Sequence, residues 1–335
     1  MGQTTFDQPL SAEAMTRAMT AIMTGTMAPD AIGVFLTTLA TRGETAEEIA
    51  AAAQVLRAHA VPLPLTRPVE LCDTCGTGGD GRGTINVSTL AALVAAAAGV
   101  RVCKHGNRAA SSRCGSADLL EALGVNLEAS PEQVARSLET EGFGFCFAQR
   151  FHPAMKAVAP IRKALGIRTI FNLIGPLATP APLTFQVVGV ADPRWMRPIA
   201  EALRRLGIRH GMVVHGRDGL DEVTTTTTTD ILELRDGRIT EQTLEPASLG
   251  VPPATLAALR GGDAAHNARL AREVLGGKAS ALCDVIAVNA GCALYVADRV
   301  GTVHDGVAEA LAVLRSGRAL ELLERVRRVS GDGHV

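Results

Sequence analysis

Apolar residues recur along the first sixty positions at the spacing of amphipathic helices. Those between residues 15 and 23 fall on one face of a helix, and those between residues 32 and 39 fall on one face of a second helix. Thr45 followed by Glu48 is a capping box and opens a third helix. A proline-rich segment, residues 61–68, then interrupts helix. The pattern predicts a small helical domain over residues 1–66.

The next stretch changes from helix to strand, loop and helix. Residues 69–71 alternate apolar and polar as a short strand does, and the unbroken apolar run over residues 90–98 is typical of a buried helix. Residues 73–89 between them are rich in glycine and form a predicted loop. Ser88 or Thr89 is expected to cap the following helix.

Strand, loop and helix then repeat, with a hairpin predicted about Asp236-Gly237 and mostly helix from residue 263 onward. Residues 285–288 are a possible further strand. Helices covering a largely parallel sheet are the natural architecture for this order, so we expect an α/β domain over residues 67–335, with helices from about 151–182 joining the helical domain. Other predicted strands span residues 100–103, 143–147, 183–190 and 211–214. Predicted helices span residues 117–123, capped by Ser116, and residues 193–206, and a further helix begins at Ser130.

Composition fits an ordinary globular protein: 335 residues, 47% hydrophobic and 20% charged, with a formal net charge of −1. That balance argues against a surface built for nucleic acid or an anionic membrane, and no apolar run is long enough to cross a bilayer. Seven cysteines, an odd number without a secretion signal, favour free thiols over disulfides. We therefore expect a cytoplasmic protein with no nucleic-acid or membrane partner.

The glycine loop has the features of a phosphate-binding segment. Glycines let the backbone approach a ligand closely, and a helix N-terminus that follows presents N–H groups to an anion. Gly76-x-Gly78-x-x-Gly81 formally matches the dinucleotide fingerprint, but the next strand leads to Lys104 rather than to an acidic residue that would bind a ribose. No Lys-Ser or Lys-Thr closes the loop, so a nucleoside-triphosphate loop is also unsupported.

Two more polar loops follow predicted strands and complement the first. Residues 104–116 offer cationic side chains and hydroxyls, and residues 216–222 offer adjacent carboxylates in Asp221-Glu222. Loops at the same ends of parallel strands meet, so the three predict donors for phosphate oxygens and acceptors for a hard cation. A second interpretation of residues 221–226, the acidic ribose-binding loop of the common phosphoribosyltransferase fold, is disfavoured because residues 215–220 separate it from the strand.

Long motifs spread over the whole chain resemble the anthranilate phosphoribosyltransferase family of the tryptophan pathway. They are Gly76-Thr77-Gly78-Gly79-Asp80, Asn86-Val87-Ser88-Thr89, Lys104-His105-Gly106-Asn107-Arg108 with Ser111-Ser112 and Gly115-Ser116-Ala117-Asp118, His152-Pro153-Ala154-Met155, Phe171-Asn172-Leu173-Ile174-Gly175-Pro176-Leu177 and Gly219-Leu220-Asp221-Glu222.

The resemblance implies a helical domain hinged to a larger α/β domain of the nucleoside phosphorylase/phosphoribosyltransferase type. It also implies a homodimer formed through the helical part and a site in the cleft between the domains. The implied reaction is displacement of pyrophosphate from phosphoribosyl pyrophosphate by the amine of anthranilate, with Mg2+ required.

The resemblance also assigns residues by motif. Lys104, His105 and Arg162 would act in catalysis, with Asn107 and Arg162 receiving anthranilate; Ser88, Asp221 and Glu222 would hold Mg2+. The implied substrate-binding residues are Gly76, Gly79, Asp80, Thr84, Asn86, Val87, Ser88, Thr89, Lys104, Asn107, Arg108, Ser111, Ser112, Ser116 and Arg162.

Two other functions compete with this interpretation. A pyrimidine-nucleoside phosphorylase of the same superfold would need a phosphate site but no paired carboxylates for magnesium. A non-catalytic relative that binds nucleic acid would need a basic groove, whereas the charge here is balanced. One departure from the family pattern is the threonine run over residues 224–229, where the family usually has Gly-Pro.

Overall fold

The computed structural model describes residues 6–109 and 112–331. Its N-terminal part consists of the three predicted helices, α1 (Ala12–Met23), α2 (Pro29–Arg42) and α3 (Ala46–Ala58). The side chain of Thr45 accepts from the N–H of Glu48, and the Glu48 carboxylate accepts from the N–H of Thr45, so the predicted capping box opens α3. The predicted apolar faces of α1 and α2 are buried.

Seven strands form one sheet in the order β3-β2-β1-β4-β5-β6-β7. The first five strands in this order are parallel to one another, and β6 and β7 add an antiparallel hairpin at one edge. Asp236 and Gly237 both have positive φ at the tip of that hairpin, as its two-residue turn requires. The expected α/β class with a mostly parallel sheet is confirmed. The strands are β1 (Cys72–Gly76), β2 (Val102–Gly106), β3 (Phe143–Phe147), β4 (Phe185–Gly189), β5 (His210–Gly216), β6 (Thr229–Arg235) and β7 (Arg238–Leu244).

Helices cover both faces of this sheet. Along β4, Val187 belongs to one apolar cluster and Val188 to the other, as the alternation of a strand requires. One cluster contains the helices that follow the glycine loop and those of the C-terminal region, and the other contains the N-terminal helices. The remaining helices are α4 (Val87–Ala97), α5 (Ser116–Ala122), α6 (Pro131–Glu141), α7 (Ala148–Phe151), α8 (Met155–Leu165), α9 (Ile170–Ile174), α10 (Met196–Arg205), α11 (Ala264–Leu275), α12 (Ala281–Val296), α13 (Val303–Arg315) and α14 (Arg318–Gly331).

Several predicted boundaries were wrong. β1 begins after the alternating pair at residues 69–71, and β2 extends through Lys104 and His105, which were assigned to a loop. Both side chains are buried polar groups, so their polarity concealed a strand that continues into the site. The proposed strand at residues 285–288 lies inside α12, because a short apolar run cannot by itself distinguish strand from buried helix.

Two predicted helix starts also differ by one to three residues. Asn86 rather than Ser88 or Thr89 occupies the N-cap of α4. Gly115 precedes α5, and Ser116 is its first residue. Among the described residues, no helix has the length and apolar character to span a membrane. The predicted domain boundary at residue 66 stays a prediction, although residues 61–70 contain no helix or strand.

Candidate active site

The three polar loops meet at the carboxyl ends of the parallel strands. The glycine loop follows β1, residues 107–115 follow β2, and residues 217–228 follow β5. The N–H of Gly78 donates to Asp221 Oδ2 at 2.7 Å, and the N–H of Ser88 donates to Glu222 Oε1 at 3.0 Å. The predicted meeting of the phosphate-type loop with the carboxylates is therefore present.

Glycine is required in this loop for two physical reasons. Gly78, Gly79, Gly81 and Gly83 all have positive φ, between 66° and 81°, which side chains other than glycine rarely adopt. Gly76 instead is needed for space, because a Cβ there would lie 2.4 Å from Asp221 Oδ2. The loop thus exposes backbone N–H groups beside a carboxylate.

Burial and mutual repulsion make the carboxylates of this site unusually easy to protonate. Burial, together with repulsion from the neighbouring carboxylates, raises the pKa of Asp221 to about 6 and that of Glu222 to about 8, against the hydrogen bonds that the two groups accept. The pKa of Asp80 is also raised, chiefly by burial, with Asp218 adding to it. Three acidic groups therefore face one another without a matching number of cations.

This donor set fits Mg2+ in a particular way. Within residues 6–109 and 112–331, no group of three or more His, Cys, Asp or Glu side chains is arranged to hold a metal ion by itself. Mg2+ characteristically binds one or two carboxylates together with water and substrate phosphates. Asp221 and Glu222, next to backbone N–H groups suited to phosphate, match that pattern. The hydroxyl of Ser88, the third predicted ligand, borders the same small cavity as Glu222.

Lys104 lies beneath the glycine loop. It is 1% exposed, and its Nζ donates to the carbonyl oxygen of Thr74 and, at 3.3 Å, to that of His105. Its charge lowers the pKa of two neighbouring carboxyl groups, Asp73 and Glu222, although burial dominates and leaves both pKa values raised. Lys104 thus places a positive charge between the strand ends and the carboxylates.

The second half of the glycine loop is held to the C-terminal region. Thr84 pairs with Arg260 as an isolated bridge, and Asn86 accepts from Asn267 Nδ2 at 3.0 Å while donating to the carbonyl of Cys114 at 2.9 Å. Asn86 therefore joins the first loop to the second. The remaining two predicted residues of this segment, Val87 and Thr89, are each 1% exposed and lie in the first turn of α4.

The loop after β2 places its predicted residues differently. The N–H of Asn107 donates to Ser116 Oγ at 3.1 Å, and the same hydroxyl donates to the Asn107 carbonyl at 3.2 Å, so these two lie together at the start of α5. Arg108 instead pairs with Asp118 at 3.1 Å and Glu121 at 2.7 Å, on the outer side of α5. Ser112 is exposed, and Ser111 lies outside the described residues.

His105 and Arg162 both lie against the largely helical segment of residues 148–177. The Nδ1 of His105 is 3.1 Å from the carbonyl oxygen of Gly175, and its ring meets that of His152 edge to face at a centroid separation of 5.1 Å. Burial holds the pKa of His105 well below its usual range, so the imidazole is neutral. Arg162 lies on α8 with its guanidinium 5.4 Å from the centroid of the Phe171 ring.

Three supporting residues were missed by sequence reasoning. Asp73, fully buried, accepts from Thr179 Oγ1 at 2.7 Å behind Lys104. Asp218 Oδ2 accepts from the hydroxyls of Thr224, at 2.7 Å, and Thr226, so the threonine run folds back on an acid. Asn289, the polar interruption in an apolar run, accepts from the N–H of Val223 and donates to its carbonyl oxygen. For Asn289, the polar interruption of its apolar run was the available signal.

Comparisons with known proteins agree with this architecture. Residues 3–60 match the family model described as the helical bundle domain of the glycosyl transferase family, and residues 69–320 match its a/b domain. The fold and the site thus define a two-domain glycosyl transferase.

The match extends to individual enzymes. The anthranilate phosphoribosyltransferase of Methanocorpusculum labreanum is 49% identical over 94% of this chain and 92% of its own length. The crystal structure of that enzyme from Thermus thermophilus is 49% identical, covers 97% of both chains and superposes with a TM-score of 0.92. The Saccharomyces cerevisiae enzyme in complex with phosphoribosyl pyrophosphate and Mg is 30% identical, with a TM-score of 0.87 over 96% of this chain and 93% of its own.

The chain belongs to the anthranilate phosphoribosyltransferase family. The resemblance and the enzyme class predicted from the sequence motifs are confirmed.

Proposed function

We propose that this chain transfers the phosphoribosyl group of phosphoribosyl pyrophosphate to the amine of anthranilate, releasing pyrophosphate, as a step of tryptophan biosynthesis. Family membership supports the reaction. The observation that supports its location is the contact of Asp221 with Gly78 and of Glu222 with Ser88. These contacts support a Mg2+ site at the two carboxylates, next to a phosphate-binding loop.

The leaving pyrophosphate gains negative charge while the ribose carbon becomes positive, so the main demand on the protein is electrostatic. The N–H groups of the glycine loop and of the first turn of α4 would donate to phosphate oxygens, those of Gly78 and Ser88 after leaving Asp221 and Glu222. Lys104 supplies a buried positive charge beneath them. Mg2+, when bound by Asp221, Glu222 and Ser88, would neutralise phosphate oxygens at the same place.

The other half of the site would receive anthranilate. Arg162 suits its carboxylate, because a planar guanidinium can donate to two oxygens at once. Asn107 begins the second loop and the neutral His105 lies near the end of β2, and their proposed role is to contact the ring and amine of anthranilate. The reaction needs no covalent nucleophile, so positioning the amine next to the ribose carbon would provide the remaining rate acceleration.

The remaining motif residues divide by their surroundings. Gly76, Gly79, Asp80 and Ser116 border the seat for the phosphoribosyl group, whereas Thr84, Asn86, Val87 and Thr89 shape it by holding the loop and α4. Arg108 would contact substrate only after leaving its ion pairs with Asp118 and Glu121. Its proposed role is therefore to position α5 against the second loop.

The reaction is tested by the loss of anthranilate fluorescence when purified protein meets anthranilate, phosphoribosyl pyrophosphate and Mg2+. We expect loss only when all three are present, with no loss when any one is left out. Loss that persists without Mg2+ would reject the metal role, and no loss from folded protein would reject the reaction.

We also propose that the chain is a cytoplasmic homodimer formed through its helical part. Val34 on α2 is 60% exposed, an unusual position for a large apolar side chain, and it lies on that part. Light scattering of the purified chain measures the mass. A Val34→Glu variant should lower it to the monomer if this face is the interface, and an unchanged dimer would place the interface elsewhere.

A further inference from the structure

The acidic loop, residues 217–228, carries two neighbouring carboxylates without the support of regular structure. It connects β5 to β6 and contains no helix or strand. Asp221 and Glu222 are buried among other acids, so their ionised forms repel each other and the acids around them. Contacts other than a regular backbone ladder must therefore hold the two residues in place.

One side chain from outside the loop holds the backbone directly after this pair. Asn289, on α12, accepts from the N–H of Val223 at 2.9 Å and donates to the carbonyl oxygen of Val223 at 2.8 Å. These are the two bonds that a hydrogen-bonded pair of residues exchanges in an antiparallel sheet, and here a single side chain supplies both. Val223 is 1% exposed, so its main-chain groups are shielded from bulk water.

The backbone directly before the pair is held from within the chain segment itself. The N–H of Leu220 donates to Asp218 Oδ1 at 3.2 Å. The carbonyl oxygen of Leu220 accepts from the N–H of Gly216, the last residue of β5, at 2.9 Å. The two carboxylate residues thus lie between two held positions, and of these the second is tied to a distant helix.

Asn289 is an exceptional residue within its helix. α12 is mostly apolar, and Asn289 is 4% exposed inside it. A buried amide is tolerated when its polar atoms are hydrogen-bonded. One of its three bonds, from Nδ2 to the carbonyl oxygen of Val285 at 2.8 Å, stays within the helix, and the other two go to Val223, 66 positions away. The contact with the acidic loop therefore accounts for a polar side chain at this position.

The same helix packs against the other support of the carboxylates. α12 contacts α4, and the N–H of Ser88 in the first turn of α4 donates to Glu222 Oε1 at 3.0 Å. Asn289, Ser88 and Glu222 also border one small cavity. Glu222 is thus held from α4 through its carboxylate, and from α12 through the backbone of the residue that follows it.

We propose that Asn289 is a positioning residue for the Mg2+ site. It fixes the backbone after Glu222, so that the carboxylates of Asp221 and Glu222 stay at the glycine loop and the first turn of α4. Asn289 itself contacts neither metal nor substrate. The inference rests on the proposed function, from which it takes the Mg2+ role of the carboxylate pair.

Two variants remove the contact, and a third is the control. Asn289→Leu removes both bonds to Val223 and keeps a side chain of similar size. Asn289→Ser serves if the first variant does not fold, because its hydroxyl can bond to a carbonyl of its own helix but cannot replace the amide. Cys292→Ala, equally buried on α12, changes the packing of the same helix and leaves the bonds between Asn289 and Val223 intact.

The first measurement needs neither metal nor substrate. Hydrogen exchange of the metal-free chain, read by mass spectrometry on peptides that cover residues 217–228, should be faster in both Asn289 variants than in the wild type. The reason is that the N–H of Val223 loses its acceptor, and the loop then opens more often. Exchange in Cys292→Ala should match the wild type. Wild-type exchange in the Asn289 variants would overturn the proposal, because the side chain would then not hold the loop.

The second measurement is Mn2+ binding in the presence of phosphoribosyl pyrophosphate, with anthranilate left out so that no turnover occurs. The enhancement of water proton relaxation reports the Mn2+ that is bound to the protein. Its dissociation constant should rise about 10- to 100-fold in the Asn289 variants, as is typical when a residue that orients metal ligands is replaced, and stay unchanged in Cys292→Ala. Faster exchange with unchanged Mn2+ affinity would overturn the positioning role. A wild type that binds no Mn2+ would overturn it together with the metal assignment.

The rate of the reaction separates this inference from the proposed function. With anthranilate added, the Asn289 variants should need more Mg2+ for half-saturation and approach the wild-type kcat at saturating Mg2+, with KM for anthranilate unchanged. A merely structural defect would lower kcat by the same factor at every Mg2+ concentration, and that result would overturn the proposal. A wild type that binds Mn2+ but consumes no anthranilate would reject the reaction, while exchange and Mn2+ binding would still decide the role of Asn289.

Discussion

Asp221 and Glu222 are neighbours in sequence, but their carboxylates contact different segments of the phosphate seat. Asp221 accepts from the glycine loop, and Glu222 accepts from the first turn of α4. Because each is buried among other acids and has a raised pKa, the pair takes up protons readily when no cation is bound, and a bound cation would replace those protons and favour the ionised forms. That arrangement makes Mg2+ affinity sensitive to either side chain.

We predict that Asp221→Asn combined with Glu222→Gln lowers turnover chiefly through weaker Mg2+ binding. Loss of about 3 kcal/mol of charge stabilisation corresponds to about a 100-fold fall in rate at fixed Mg2+. Rates measured across a Mg2+ titration should show a much higher half-saturating concentration. Asp230→Asn, at a half-buried acid paired with the exposed Arg217, is the control and should behave as wild type. An unchanged Mg2+ dependence in the double variant would contradict the assignment.

Arg162 gives a prediction that separates the two substrates. Arg162→Ala should raise KM for anthranilate by about 10- to 100-fold, the equivalent of about 1.5–3 kcal/mol for hydrogen bonds to a charged group. KM for phosphoribosyl pyrophosphate should change little, because the proposed site for that substrate is the glycine loop and not α8. Lys163→Ala, the exposed neighbour on α8, serves as control. Equal increases in both KM values would give Arg162 another role.

At this scale the sequence predicted residue types better than their orientation. The carboxylate pair, the glycines and the lysine were recognised because their chemistry is visible in one dimension. The outward turn of Arg108 was not, because it depends on Asp118 and Glu121, which lie on its side of α5 only after that helix forms. Asp73 was read as part of the loop, since nothing local shows that a carboxylate will be fully buried behind Lys104.

The strand, loop and helix at β1 and α4 form the element on which the site depends. Its glycines are of two kinds, those with positive φ and those that make room for the acidic loop. Gly76 and Gly189 are of the second kind, since a Cβ at Gly189 would lie 1.6 Å from the carbonyl oxygen of Asp221. The close approach of the two neighbouring strand ends to the acidic loop fixes where the carboxylates lie.

We predict that Gly76→Ala damages Mg2+ binding without removing the fold. Its Cβ would displace the carboxylate of Asp221, which lies 2.4 Å away, and the side chain or the loop must move. Gly33→Ala in α2, where a Cβ meets nothing within 4 Å, is the matched control. Circular dichroism should show both variants folded, and a Mg2+ titration of the rate should be shifted only for Gly76→Ala. Identical titrations would show that the loop yields without moving the metal ligands.

The loop that follows the two carboxylates, residues 223–228, could not be predicted from local signals. Its threonine run departs from the family pattern, yet it is ordered by hydrogen bonds from Thr224 and Thr226 to Asp218. Hairpins and amphipathic helices were predictable because their signals are local. The conformation of this loop depends on side-chain hydrogen bonds between residues six and eight positions apart. The extended β2 and the helical residues 285–288 depend on packing against partners far away in sequence, and one-dimensional periodicity contains neither kind of information.

Over the whole molecule, the helical part contacts the sheet-covering helices through buried polar groups as well as apolar ones. Glu44, between α2 and α3, is 6% exposed and lines a cavity together with Arg168 and Trp195. Burial raises its pKa from 4.5 to about 7, so the folded state favours the protonated form. Below pH 4.5 the carboxyl is neutral in both the folded and the unfolded states, and it costs the fold nothing.

Stability should therefore decline as the pH rises from 4.5 to 7, and above pH 7 the full cost of ionising Glu44 remains. A difference of two to three pKa units corresponds to about 3 kcal/mol. We predict that Glu44→Gln, which stays neutral, raises the midpoint temperature of thermal unfolding at pH 8 by about 5 °C or more and leaves it nearly unchanged at pH 4.5. Glu13→Gln, on the exposed side of α1, is the control and should follow the wild type at both pH values. If the midpoint temperature of Glu44→Gln changes with pH as that of the wild type does, Glu44 is ionised in the folded state at both pH values, and Arg168 or Arg42 carries the compensating charge.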